Sequence, residues 1–99
     1  MNFIPISQPS IGEKEIEYVT DALKSGWVSS LGKYIDMFEE KFANYCGTKY
    51  AVTTSNGTTA LHLSLVSLGV TADDEVIIPD LTFVATGSAV KYIGAKVVT

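Results

Sequence analysis

Tyr50-Ala51-Val52-Thr53-Thr54-Ser55-Asn56-Gly57-Thr58-Thr59-Ala60-Leu61 reads as a strand-like run turned by small residues into the start of a helix. A turn of this kind leaves several backbone N–H groups without intrahelical partners, and the helix dipole adds positive potential there. Such an end suits a phosphate group. Asn56 and Gly57 tolerate unusual backbone angles, and the missing Cβ of Gly57 lets an anion come close. The hydroxyls of Ser55 and Thr58 could add donors. An ordinary capped strand–turn–helix junction explains the same residues, so both readings stand at this point.

Downstream, the pattern predicts a helix over 57–68, a strand over 75–78, a helix over 82–93 and a strand over 96–98, after a first strand over 50–54. Gly69 and Gly94 fall just past the helices, where C-terminal caps place glycine. Short runs of Val and Ile without strict alternation suggest a parallel sheet covered on both faces. The first of these helices is apolar on nearly every side, which predicts burial against a sheet and other structure. The fold class expected is therefore α/β, a mostly parallel sheet flanked by helices.

Upstream, residues 1–9 read as an extended arm. Ser10 and Glu13 fit a capping box at the start of a helix whose face is Ile16, Val19 and Leu23, and Gly26 stops it. A loop from Trp27 to Gly32 follows. A second amphipathic helix then carries Tyr34, Ile35, Phe38, Phe42 and Tyr45 on one side, and Gly47 ends it. Two regions are expected: an arm and two helices over 1–48, and the start of an α/β domain over 49–99.

Composition narrows the possible partners. The 99 residues are 46% hydrophobic and 18% charged, against about 25% charged in an average domain. That excess of apolar surface suggests a face meant to be buried by something else. The net charge of −4, with no basic run, argues against nucleic acid or an anionic membrane. No segment reaches the roughly 18 apolar residues of a membrane helix. The N-terminus has no basic region before an apolar core, so a cytoplasmic protein is expected. Lys96-Val97-Val98-Thr99 ends on an apparent strand, and three short strands make a poor complete domain. The chain is accordingly expected to be the N-terminal part of a longer protein.

Few residues here carry chemistry alone. His62, mid-helix among leucines, reads as a satisfied or partly buried imidazole. No second ligand stands at metal-site spacing, so no metal is expected. Asp73-Asp74-Glu75 reads as a solvated acidic loop, and Cys46 as a small buried hydrophobe. No nucleophile elbow of the G-x-S-x-G type is present. What remains is the Ser55–Thr58 turn and Pro79-Asp80-Leu81-Thr82-Phe83, each at the carboxyl end of an expected strand. Ligands gather there in open α/β sheets. A phosphate cradle beside an aromatic ring suits a flat, phosphorylated ring cofactor, although core packing accounts equally well for Phe83.

Five ordered blocks resemble the sugar aminotransferases of the DegT/DnrJ/EryC1/StrS family, which use pyridoxal 5′-phosphate (PLP). They are Ser25-Gly26-Trp27-Val28-Ser29, Phe38-Glu39-Glu40-Lys41-Phe42-Ala43 with Tyr45 and Gly47, and Ser55-Asn56-Gly57-Thr58-Thr59-Ala60-Leu61-His62-Leu63. Asp74-Glu75-Val76-Ile77-Ile78-Pro79 and Leu81-Thr82-Phe83-Val84-Ala85-Thr86 complete the set. The resemblance implies the N-terminal part of the aspartate-aminotransferase (fold type I) large domain and a homodimer with active sites at the subunit interface.

By the same resemblance, Ser55, Asn56, Gly57 and Thr58 form the cofactor turn. The Gly57 and Thr58 amides and the Thr58 hydroxyl would hold the PLP phosphate, and Phe83 would stack on the pyridine ring. Trp27 and Ser29, in a loop at the active-site mouth, would meet the substrate. The family's Schiff-base lysine lies beyond residue 99, so no catalytic residue is assigned and the chain alone is expected to be inactive. The fold also separates the 50–54 strand from the next two by strands contributed later, leaving it without neighbours.

The activity implied is transfer of an amino group from an amino acid donor, glutamate by preference, to a nucleotide-linked keto-sugar for amino-sugar or surface-polysaccharide biosynthesis. The wording of Trp27-Val28-Ser29-Ser30 and Tyr34-Ile35 most resembles members acting on a GDP-linked 4-keto-6-deoxy sugar. The alternative is a non-catalytic α/β phosphate- or nucleotide-binding module, although the turn fits neither G-x-G-x-x-G nor Walker A. A non-catalytic interaction protein with a large apolar interface is a third reading.

Overall fold

Glu13 and Glu15 in the first turn and Lys24 in the last place charges of the favourable sign at both ends of the first helix, α1 (Glu13–Ser25). This is a computed structural model, which describes residues 3–99. The expected Ser10 cap is not the one formed. Gly12 is the N-cap, and its N–H donates to Glu15 Oε2 at 2.7 Å. A carboxylate three residues on can reach back to that amide, which leaves Ser10 outside the helix. Gly26, at φ 75°, closes α1 with its N–H on the Leu23 carbonyl. Ile16, Val19 and Leu23 remain about 60% exposed.

The second helix, α2, spans Lys33–Cys46 and ends at Gly47, φ 68°. Its links to α1 are polar and aromatic. Tyr34 Oη donates to Asp21 Oδ2 at 2.8 Å, Lys33 pairs with the same oxygen at 2.5 Å, and the Tyr18 and Tyr34 rings lie 5.2 Å apart. Lys33 and then Tyr34 hold the Asp21 carboxyl below the usual carboxylate range, while Asp21 raises both Lys33 and Tyr34. Asp21 therefore contributes stability above the ordinary carboxylate range, lost as pH falls through its lowered folded value. Lys33 contributes below its ordinary range, and that contribution is lost as pH rises through its raised folded value. These groups are solvent-exposed, so the effect is small and screened by salt. Asp21→Asn should flatten the acid limb of a stability-versus-pH profile by slightly lowering stability at neutral pH while leaving it unchanged at low pH, read by denaturant melts at several pH values.

Cys46 was expected to be buried, but it is exposed. On this helix only Ala43 is buried, so the last turn has no cover among the described residues. One compact unit ends at Ala51 and a second runs Val52–Thr99.

The second unit begins with a stretch that has no regular secondary structure. The expected strand over 50–54 does not form, because no partner strand lies beside it among the described residues. A strand needs a hydrogen-bonded neighbour, whatever its propensity. Helix α3 (Gly57–Ser67), strand β1 (Glu75–Ile77), helix α4 (Val84–Tyr92) and strand β2 (Lys96–Val98) follow. The strands pair in parallel with Val76 opposite Val97, and Ile78 N–H extends the ladder to the Val98 carbonyl at 2.9 Å. A β–α–β unit results, with α4 as the crossover.

Its core is small. Ala89, Val90 and Ala95 are buried, where α4 meets β2 and α3 packs on α4. His62 sits half-buried, its ring edge-on to Tyr92 at 5.8 Å. The other sides of α3 are open, with Leu61 40% and Val66 53% exposed. The burial expected for this helix is met on the α4 side alone. The acidic turn is more than solvated: Asp74 Oδ2 accepts from Thr71 N at 2.7 Å and from the Thr71 hydroxyl at 3.1 Å, and Glu75 pairs with Lys96.

Gly94 ends α4 at φ 83°, and a Cβ there would lie 3.2 Å from Ala72 Cβ. Gly94→Ala adds both a left-handed-region penalty and that contact. It should cost about 1–2 kcal/mol or more, measured by denaturant unfolding.

Candidate functional site

Helix α3 begins with an unusually complete self-cap. Asn56 is extended at φ −168°, and its Oδ1 accepts from Thr59 N at 3.0 Å. Thr59 Oγ1 accepts in return from Asn56 N at 3.3 Å and donates to the Asn56 carbonyl at 2.8 Å. That carbonyl also receives Ala60 N–H at 3.1 Å and the Thr54 hydroxyl at 3.0 Å. Ser55 Oγ accepts from Asn56 Nδ2 at 3.2 Å. Asn56-x-x-Thr59 is thus a capping box with a hydroxyl in place of the usual carboxylate.

The cap determines what remains available to a ligand. Of the first helical amides, those of Thr59 and Ala60 are satisfied internally. The N–H groups of Gly57 and Thr58 have no hydrogen-bond partner among the described residues, nor has the Thr58 hydroxyl. A Cβ built on Gly57 meets nothing within 4 Å, so the approach to these donors is open. Two adjacent amides, one hydroxyl and a helix dipole fit a phosphate monoester. Asn56 and Ser55, placed in the cofactor turn by the sequence, have their side chains turned to holding the cap. Thr59, not singled out in the sequence, closes it.

Phe83 is the N-cap of α4, with its carbonyl accepting Thr86 N–H at 3.0 Å and its ring 79% exposed. Among the described residues nothing covers this side chain. The neighbouring hydroxyls of Thr82 and Thr86 lie 3.0 Å apart.

Trp27 and Ser29 lie in the other unit, in the loop joining α1 to α2. The Ser29 hydroxyl donates to the Leu31 carbonyl at 3.2 Å and accepts Leu31 N–H at 3.1 Å, which folds the loop on itself. A cavity of about 50 Å³ there is lined by Trp27, Ser29 and Lys33 among others. Among the described residues no group of three or more His, Cys, Asp or Glu is placed to hold a metal ion, and no helix is long and apolar enough to cross a membrane.

The sequence pattern of the DegT/DnrJ/EryC1/StrS aminotransferase family matches residues 9–99. The chain belongs to this family. It is 54% identical over 95 residues to the GDP-perosamine synthase of Escherichia coli O157:H7, covering 96% of this chain and 26% of that one. The PLP form of a putative sugar aminotransferase from Streptococcus pneumoniae, Spr1654, superposes with a TM-score of 0.82 at 39% identity, over 96% of this chain and 24% of that chain. A GDP-4-keto-6-deoxy-D-mannose-3-dehydratase of E. coli, solved with bound hydrated PLP, superposes at TM-score 0.74 and 28% identity, over 94% and 25%.

The architecture is therefore the N-terminal part of the fold type I PLP enzymes of this family. The chain spans about a quarter of the length of these relatives. An aminotransferase and a dehydratase share this fold, so the fold alone does not fix the reaction.

Proposed function

We propose that this chain provides the start of the cofactor site of a PLP-dependent aminotransferase that moves an amino group from glutamate onto a nucleotide-linked keto-sugar. The observation that carries this reading is the pair of unpartnered amides at Gly57 and Thr58, beside a free hydroxyl, in a chain of this family. In this reading Gly57 N–H, Thr58 N–H and Thr58 Oγ1 hold the phosphate, with Asn56, Ser55 and Thr59 keeping the turn in place. Phe83 would stack on the cofactor ring, an aromatic contact that an exposed side chain at a helix start is free to make. Bound there, the cofactor supplies the electron sink that amino transfer requires.

The 54% identity to a GDP-perosamine synthase, against 28% to the dehydratase, favours amination of a GDP-linked 4-keto-6-deoxy sugar. Trp27 and Ser29 contact that substrate in this reading. The working enzyme is a homodimer in the cytoplasm, acting in amino-sugar or surface-polysaccharide biosynthesis.

The test uses the full-length protein that carries this chain, loaded with PLP. Addition of glutamate should change the visible spectrum of the bound cofactor, and labelled nitrogen from glutamate should appear in the sugar product. A protein that loses the sugar's hydroxyl without gaining nitrogen would be a dehydratase. One that binds no PLP would return the chain to the class of simple phosphate-binding modules.

A further inference from the structure

Gly32 stands at φ 139° and ψ 163°, a backbone region that essentially only glycine occupies. It lies where α2 begins, five residues after Trp27. A Cβ built on Gly32 would come 3.4 Å from Trp27 Cβ and 3.8 Å from its Cγ and Cε3. A methyl group at 32 would thus touch the base of Trp27 at ordinary van der Waals distance, and it is the positive-φ backbone that a side chain there would strain. Ser29 closes the loop between them through its two bonds to Leu31. Trp27 beside this turn is 60% exposed, so its side chain is open to a ligand. A glycine-only backbone conformation next to an exposed aromatic points to preorganisation.

We propose that Gly32 is a positioning residue for substrate: it sets the orientation of the Trp27 ring, which presents one wall of the keto-sugar nucleotide site. This rests on the reading of Trp27 given above. Gly32 itself makes no contact with substrate. A side chain at 32 displaces the ring by driving the backbone beside it out of its glycine-only conformation.

Two measurements test this together. In the 99-residue chain Trp27 is the one tryptophan, so its emission and its quenching by acrylamide report the ring alone. Gly32→Ala should shift both. Gly47→Ala, at a positive-φ glycine with nothing near its Cβ, should lower stability without moving either. In the full-length protein, Gly32→Ala should raise KM for a GDP-linked 4-keto-6-deoxy sugar about tenfold, since misplacing a contact group by an ångström can cost up to about a hundredfold. The rate of the glutamate half-reaction should stay within about twofold of wild type.

Unchanged sugar KM in a folded Gly32→Ala protein, or a shift equal to that of Gly47→Ala, overturns the proposal while the aminotransferase reading stands. Absence of any glutamate half-reaction in the wild-type protein overturns that reading instead. Should Gly32→Ala fail to fold, Trp27→Phe decides: unaltered sugar KM would remove the ring, and Gly32 with it, from the site.

Discussion

Thr58→Val in the full-length protein should weaken PLP retention by about 1.5–3 kcal/mol, the worth of a hydrogen bond to a charged group. In dissociation constant this is about 10- to 150-fold. The substitution isolates the hydroxyl. Valine keeps the branched shape of threonine and has nearly the same helix propensity, so the helix should persist. The Thr58 hydroxyl has no hydrogen-bond partner among the described residues, so its removal orphans nothing in the fold. Equilibrium dialysis against PLP and against pyridoxal, which lacks the phosphate, provides the control. Only the phosphate-bearing compound should lose affinity. Equal loss for both would mean that the change disturbs the pocket generally, and unchanged PLP affinity would remove Thr58 from the site.

Asn56→Ala should have the second large effect, on stability. It removes the acceptor of Thr59 N–H, and loss of such a cap costs about 0.5–2 kcal/mol. For a domain of this size that is several degrees in Tm, at about 4–8 °C per kcal/mol, measured by thermal melts. Asn56→Asp separates capping from ligand binding. Aspartate retains an acceptor at the cap and is favoured by the helix dipole, so the melt should be preserved. Its negative charge stands beside the phosphate position, so PLP affinity should fall. An Asn56→Asp protein that binds PLP as wild type would place the phosphate away from this turn.

Much of this arrangement was legible in the sequence because it is local. The turn from Ser55 to Thr58, the helix that follows, and the glycines at 26, 47, 69 and 94 are dictated by capping and backbone freedom. All four glycines adopt positive φ. The parallel pairing of β1 with β2 followed from two short apolar runs separated by a helix. Misreadings arose where the outcome depended on competition or on partners. Ser10 lost the α1 cap to Gly12 because Glu15 could reach back to the Gly12 amide.

Tyr50–Thr54 has strand propensity but no neighbour to pair with, so it forms no ladder. Cys46 and the open sides of α3 show the same dependence: apolar character indicates that a residue can be buried, not what buries it. The function of Thr59 was written in the Asn56-x-x-Thr59 spacing, but a hydroxyl at the third position is a weaker signal than the usual Glu or Gln. Gly32 was legible only as the end of a loop, because its glycine-only backbone angles cannot be read from spacing.

A crystal structure of the full-length protein with PLP bound examines the phosphate seat itself. The phosphate oxygens should lie about 2.7–3.2 Å from Gly57 N and Thr58 N, with Thr58 Oγ1 as a third donor and Asn56 Oδ1 still on Thr59 N–H. A phosphate bound elsewhere, with the Gly57 and Thr58 amides turned to solvent or to protein carbonyls, would contradict it.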